Sequence, residues 1–193
     1  LLWKSLLKIT EIQINSMRIA FVLGHHEKSK GAYSNYFCMA EWDFYNKVID
    51  ELGCVDTFYH DSDINRYTSR IKSTANKINK VNYDLVIELH FNSAVHTSAN
   101  GCETLYYYRS IKSKEYASLF SHIVTKETSI KSRNGGVKAL TNKNDRGFAS
   151  VYYTKAPTIL IEPFFGSNDD DCEKIKNPKN MARIIKKFVE SCN

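Results

Sequence analysis

Apolar and polar positions along the chain fall into blocks, and the period changes from block to block. Arg18 to Leu23 (RIAFVL) is a short apolar run closed by Gly24, the pattern of a buried strand. From Ala40 to Leu52, apolar residues recur at helical spacing through Phe44, Tyr45, Val48, Ile49 and Leu52, and Gly53 supplies a stop, so a helix is predicted. Val55 to His60 reads as a second strand. Asp63 to Ile78 carries one stripe of Ile64, Tyr67, Ile71, Ala75 and Ile78, with Asp63 as the expected N-cap of a second helix.

Further along, Asp84 to His90 (DLVIELH) reads as another buried strand, and Glu103 to Tyr108 (ETLYYY) as a strand rich in aromatics. Tyr116 to Val124 has a helical stripe of Tyr116, Leu119, Phe120 and Ile123. Thr158 to Glu162 (TILIE) follows Pro157 as a buried strand, and Pro178 to Val189 closes the chain as a helix with Met181, Ile184, Ile185 and Phe188 inward. Strands and helices alternate without an internal repeat or linker. The pattern predicts an α/β single domain, a mostly parallel sheet with helices on both faces. Ligands of such sheets lie beyond the carboxyl ends of the strands, so the residues just after each strand are where chemistry is sought.

Composition narrows the class. Of 193 residues, 42% are hydrophobic and 25% charged, with only 3 Pro and 8 Gly, which excludes a disordered chain or a fibre. No stretch approaches the roughly 18 to 20 apolar residues of a membrane-spanning helix. The net charge of +6 suits a polyanionic partner such as a cell wall or membrane surface. Lys and Arg are spread along the chain without a basic arm, which places nucleic acid last. The five cysteines, Cys38, Cys54, Cys102, Cys172 and Cys192, include no C-x-x-C pair, so free thiols are expected rather than a zinc ribbon or redox dithiol. Residues 1 to 16 (LLWKSLLKITEIQINS) are interrupted by Lys4 and Lys8 and lack the continuous apolar core of about 7 to 15 residues of a secretory signal. They read as a leader or extension outside the core, with the domain spanning 17 to 193. The alternative is a short amphipathic helix with Leu2, Leu6 and Ile9 on one side.

At the strand ends stand His25 and His26 after the first strand, Glu88 and His90 at the end of DLVIELH, and Glu162 at the end of TILIE; Glu41 lies in the first turn of a helix. Counting one His after the first strand, with Glu41, His90 and Glu162, two imidazoles and two carboxylates come from four segments that can converge at one sheet edge. A catalytic zinc site needs three protein ligands and an open position, and two His with one Glu is a known set. A further carboxylate within reach serves as general base. Each residue also has an ordinary reading: a polar residue leaving the core, a Glu favouring the helix dipole, an exposed cap.

Taken together, Gly24-His25, Glu41, Leu89-His90-Phe91-Asn92, Gly101 with Glu103-Thr104 before Tyr106-Tyr107, and Ala156 to Glu162 resemble the zinc-dependent N-acetylmuramoyl-L-alanine amidases. More narrowly, they resemble the amidase-3 type of phage endolysins and bacterial cell-wall hydrolases. The segment Pro163 to Asn168 also resembles the one that follows that family's catalytic Glu, and the likeness runs from about Met17 to about Val189. The resemblance implies a twisted, mostly parallel six-stranded sheet, His25, Glu41 and His90 as zinc ligands, and Glu162 as the catalytic residue. It also implies hydrolysis of the amide between N-acetylmuramic acid and L-alanine. Peptidoglycan is then the partner, with no nucleic acid, no stable membrane insertion and a monomer favoured. Without an export signal, the expectation is cytoplasmic synthesis and action on the wall after release by a lysis system. The rival readings are a zinc peptidase or carboxypeptidase cutting within the stem peptide, and a non-catalytic wall-binding module.

Two features depart from the family pattern. His26 stands where a Gly is usual, giving two adjacent candidate ligands, and His25 is preferred because it follows Gly24 directly. Glu88 shares a strand face with His90, and is expected to be a partner of that ligand or a competitor for the metal. Asn92 and Arg146 are expected substrate contacts. His60, His96 and His122 lie outside any motif and are expected on the surface or in helices, Cys38 in the core, and Tyr106 to Tyr108 in strand packing, with one exposed ring available for a glycan.

Overall fold

The computed structural model describes residues 17–192, so the reading of residues 1 to 16 lies outside the described residues. In chain order the elements are β1 (Ile19–Leu23), β2 (Tyr33–Ser34), β3 (Met39–Ala40), α1 (Glu41–Leu52), β4 (Asp56–Phe58), α2 (Tyr67–Ile78), β5 (Leu85–Leu89) and β6 (Cys102–Tyr107). There follow α3 (Ile111–Thr128), β7 (Ser132–Leu140), α4 (Phe148–Tyr153), β8 (Thr158–Glu162), α5 (Asp169–Ile175) and α6 (Pro178–Ser191). Six strands form one sheet in the order β4-β1-β5-β8-β6-β7, and β2 pairs with β3 in a small ribbon. Four of the five neighbouring pairs in the large sheet are parallel; only β6 runs antiparallel to β8. The mostly parallel α/β sheet expected from the alternation is the observed fold.

The strands are buried because both faces are covered. Phe21 and Leu23 of β1, Leu85, Ile87 and Leu89 of β5, and Ile159 and Ile161 of β8 join the large core with Phe44 and Val48 of α1, Phe120 and Val124 of α3, and Ile184 and Phe188 of α6. Their neighbours at odd offset point the other way. Ala20, Val22 and Val86 pack with Ile78 of α2, and Leu105, Leu140 and Leu160 pack with Val151 of α4. One face of the sheet therefore carries α1, α3 and α6, and the other carries α2 and α4.

This period of two decides where the polar residues go. Glu88 shares the face of Val86, Glu162 that of Leu160, and Glu103 that of Leu105, so all three fall on the α2/α4 face. That side is where the sheet leaves open space: a cavity of about 580 Å³ runs between α2, α4 and the strand ends.

Three expectations are corrected. Asp63 caps no helix; α2 starts at Tyr67, and Asp63 instead pairs with Lys28 at the surface. Cys38 is exposed rather than in the core, because the β2–β3 turn carries it outward with a left-handed backbone, φ 52°. His60 is buried, not on the surface, because the short strand β4 delivers it beneath α2. All five cysteines are free thiols. Among the described residues, no helix is long and apolar enough to cross a membrane.

Candidate metal centre

Three segments bring the candidate ligands together. β1 ends at Gly24, and His25 follows in a left-handed conformation, φ 66°, which turns its ring back over the sheet edge. The loop returning through Gly31 and Ala32 is tied to the start of α1, where Glu41 N–H donates to Ala32 O at 2.8 Å. β5 ends one residue before His90, whose backbone N–H donates to Ile161 O at 3.1 Å and so keeps it in line with β8. Tyr45 of α1 donates its hydroxyl to His90 O at 2.6 Å.

One ligand atom each of His25, Glu41 and His90 lies within 4.8 Å of the others, which makes the three a group able to hold a metal ion. Glu41 Oε2 stands 3.0 Å from His25 Nε2, and Glu41 Oε1 stands 2.8 Å from His90 Nδ1. His25 Nε2 is buried yet makes no aligned hydrogen bond. A buried ring nitrogen left in this way, facing a carboxylate, has its lone pair free for a cation. Glycine makes room for the rings. A Cβ on Gly24 would collide with the His90 ring, and one on Gly31 would stand 2.7 Å from both Glu41 Oε2 and His25 Nε2.

The electrostatics suit a divalent ion. Burial alone would raise the Glu41 carboxyl, but the neighbouring His25 and His90 imidazoles outweigh it and bring it down to about 2. Burial disfavours a charged His90, yet its bonds to Glu41 and Glu88 push its pKa up to about 10. Burial likewise opposes ionisation of Glu88, and the neighbouring His60 and His90 imidazoles hold it well below the usual carboxylate range. Two buried carboxylates thus flank one imidazole that retains a positive charge. A cation held by His25, Glu41 and His90 would take the place of that proton, and the donor set fits zinc, which takes two His and one carboxylate with a position left open.

Glu88 stands behind this group. Its Oε1 is 3.0 Å from His90 Nε2, accepts from Ser150 Oγ of α4 at 2.9 Å, and lies 3.8 Å from His60 Nε2. His60 Nδ1 in turn meets Thr74 Oγ1 of α2 at 2.9 Å. Glu88 therefore faces the ring nitrogen opposite the one facing Glu41, the position of a carboxylate that orients a ligating imidazole. His26, the adjacent alternative, lies outside the group of three; it lines the cavity, and its buried Nδ1 is without a partner.

Glu162 sits beside the group with one oxygen anchored: Asn92 Nδ2 donates to its Oε2 at 2.7 Å. Burial raises its pKa; the charges of Glu103 and Glu41 add to the rise, and those of His90 and Arg146 oppose it. Arg146 lines the cavity. Asn92 does not offer its side chain to the cavity. Its amide nitrogen is taken by Glu103 at 3.0 Å and by Glu162, and its Oδ1 accepts from Ser93 N–H at 3.0 Å. His60, Arg70 and Tyr67 also line the cavity and were missed in the sequence. Their only local signal is that Tyr67 and Ile71 share a helical stripe with one polar flank.

An open α/β sheet that gathers two imidazoles, a carboxylate pair and a polar cavity at one edge defines the class of an α/β protein with a candidate metal centre. The family profile described as Amidase_3, N-acetylmuramoyl-L-alanine amidase, matches residues 19–193, and the chain belongs to that family. It is 27% identical over 157 residues to the N-acetylmuramoyl-L-alanine amidase LytC of Bacillus subtilis (strain 168), a match that takes in 79% of this chain but only 30% of that protein. Among solved structures it is similar to the catalytic domain of the CD27L endolysin targeting Clostridia difficile, with a TM-score of 0.72, 25% identity, and coverage of 91% of this chain and 97% of that one. An N-acetylmuramoyl-L-alanine amidase from Clostridium difficile 630 has the same fold, at a TM-score of 0.68, 22% identity, and coverage of 91% and 96%.

Proposed function

We propose that this chain hydrolyses the amide between the lactyl group of N-acetylmuramic acid and L-alanine of the peptidoglycan stem, with zinc held by His25, Glu41 and His90. The observation that carries the reading is the convergence of those three ligand atoms beside Glu162, a half-buried carboxylate with a raised pKa. Zinc, when bound, supplies Lewis-acid polarisation of the scissile carbonyl and acidifies water. Glu162 accepts a proton from the attacking water as its oxygen adds to the carbonyl carbon. As the carbon–nitrogen bond breaks, the same carboxyl delivers that proton to the departing alanine amine. A raised pKa suits a group that must both take and give a proton near neutral pH. Asn92 holds the carboxylate in place, and Arg146 offers a positive charge to an acidic group of the stem peptide.

Glu162→Gln keeps the shape and removes the base. Turnover of purified peptidoglycan falls about 10² to 10⁴-fold while zinc content and fold stay intact. The product of the unaltered enzyme is a new alanine amino terminus. Cleavage inside the stem peptide would instead mark a peptidase, and no release at all would mark a wall-binding module. Zinc lost together with activity in Glu162→Gln would make Glu162 a ligand.

A further inference from the structure

The antiparallel step in the sheet has a chemical result. Because β6 runs against β8, the beginning of β6 meets the end of β8, and Glu103 is the direct cross-strand partner of Glu162. Both side chains lie on the α2/α4 face. Two carboxylates side by side repel, and here a single amide stands between them. Asn92 Nδ2 donates to Glu103 Oε1 at 3.0 Å and to Glu162 Oε2 at 2.7 Å. The amide cannot be turned over, since that would set its oxygen against both carboxylates and its NH₂ against Ser93 N–H. Its backbone is fixed as well: Asn92 N–H donates to Phe164 O at 2.9 Å, and Gly166 N–H donates to Asn92 O at 2.8 Å. On the far side, Arg133 Nε lies 3.6 Å from Glu103 Oε1, and the guanidinium rests over the Phe165 ring at 5.0 Å.

We propose that Glu103 is a positioning residue for Glu162, acting through the shared side-chain amide of Asn92. It holds one hydrogen of the amide, so that the other is presented to Glu162 in a single orientation, and its charge faces the carboxyl that moves the proton. The proposal rests on the role given to Glu162 above. Without metal, the charges acting on Glu162 are those of His90 and Arg146, which favour the carboxylate, and of Glu103 and Glu41, which oppose it; a bound cation would take over the part of the His90 proton and leave the Glu103 charge where it is. Removing the Glu103 charge therefore lets the Glu162 carboxylate form at lower pH.

The test uses zinc-loaded protein with Glu103→Gln, which keeps an acceptor for Asn92, and Glu103→Ala, which does not. In the Gln variant the acid limb of the kcat/KM profile moves to lower pH, and the ¹³C-detected titration of the Glu162 carboxyl moves with it. In the Ala variant kcat falls about tenfold or more through misplacement, with zinc content unchanged. In an Asn92→Ala background, Glu103→Ala adds little further loss, because the two residues act as one unit. An unmoved Glu162 titration in Glu103→Gln overturns the proposal, and so do losses that simply add in the double variant. If Glu103→Ala fails to fold, the isosteric Gln variant still decides. A wild-type protein that releases no alanine termini would defeat the amidase reading instead, and the carboxyl titration would still decide the coupling.

Discussion

At the scale of single residues, the metal group depends on space as much as on ligands. Gly24 lies against the His90 ring so closely that any side chain there displaces it. Gly24→Ala is expected to abolish stoichiometric zinc binding as completely as His90→Ala does. His26→Ala should leave one zinc per chain, since His26 stands outside the group of three. Metal content by elemental analysis of the three dialysed, reloaded variants checks this; zinc lost from His26→Ala would move the ligand to that residue. His25, Glu41, His90 and Glu162 were legible as candidates because each sits at the end of a recognisable element. His60 was not legible: nothing near it in sequence marks it, and only the path of the chain after β4 brings it to Glu88. The tie between Asn92 and Glu103 was hidden for a related reason, because a local pattern carries no information on strand direction.

At the scale of elements, apolar segments with one clean period were found, and those without an apolar face or under two turns long were not. β8 was expected over the residues it occupies, since five residues after Pro157 are apolar or end a buried run. α3 extends from Ile111 to Thr128, well beyond its apolar stripe, because Ser110 caps its start and a left-handed Ser129 ends it. β7 escaped notice: an edge strand with Asn134, Gly135 and Gly136 and mostly exposed side chains has no apolar face to announce it. α4, with six residues, is too short to show a helical period. At the last helix a polar cap adds to the apolar stripe of Met181, Ile184, Ile185 and Phe188. Asn177 accepts from Asn180 N–H, and Pro178 occupies the first turn. Asn177→Ala is therefore expected to cost about 1 kcal/mol in urea unfolding, with zinc binding unaltered. A loss well beyond that would mean Asn177 also supports the packing of α6 on α1 and α3.

At the scale of the whole molecule, the net charge of +6 favours capture of an anionic polymer. Binding to intact cell walls should weaken as salt rises, since the Debye length falls from about 10 Å at 0.1 M to about 3 Å at 1 M. Turnover of a small neutral muropeptide should change far less, and equal salt sensitivity of the two would count against electrostatic capture. The sheet, finally, divides labour between its sides. The side under α1, α3 and α6 holds the large apolar core, and the side under α2 and α4 holds the cavity with Glu88, Glu103 and Glu162, while Glu41 reaches the strand ends from the start of α1. That division gives a protein engineer two nearly independent design surfaces. Repacking beneath α6, where Phe120 meets Phe188 edge to face, can be pursued for shelf life without disturbing the reactive groups. Alterations along α2 and α4 change which wall fragments are admitted, and they do so against a foundation that stays the same.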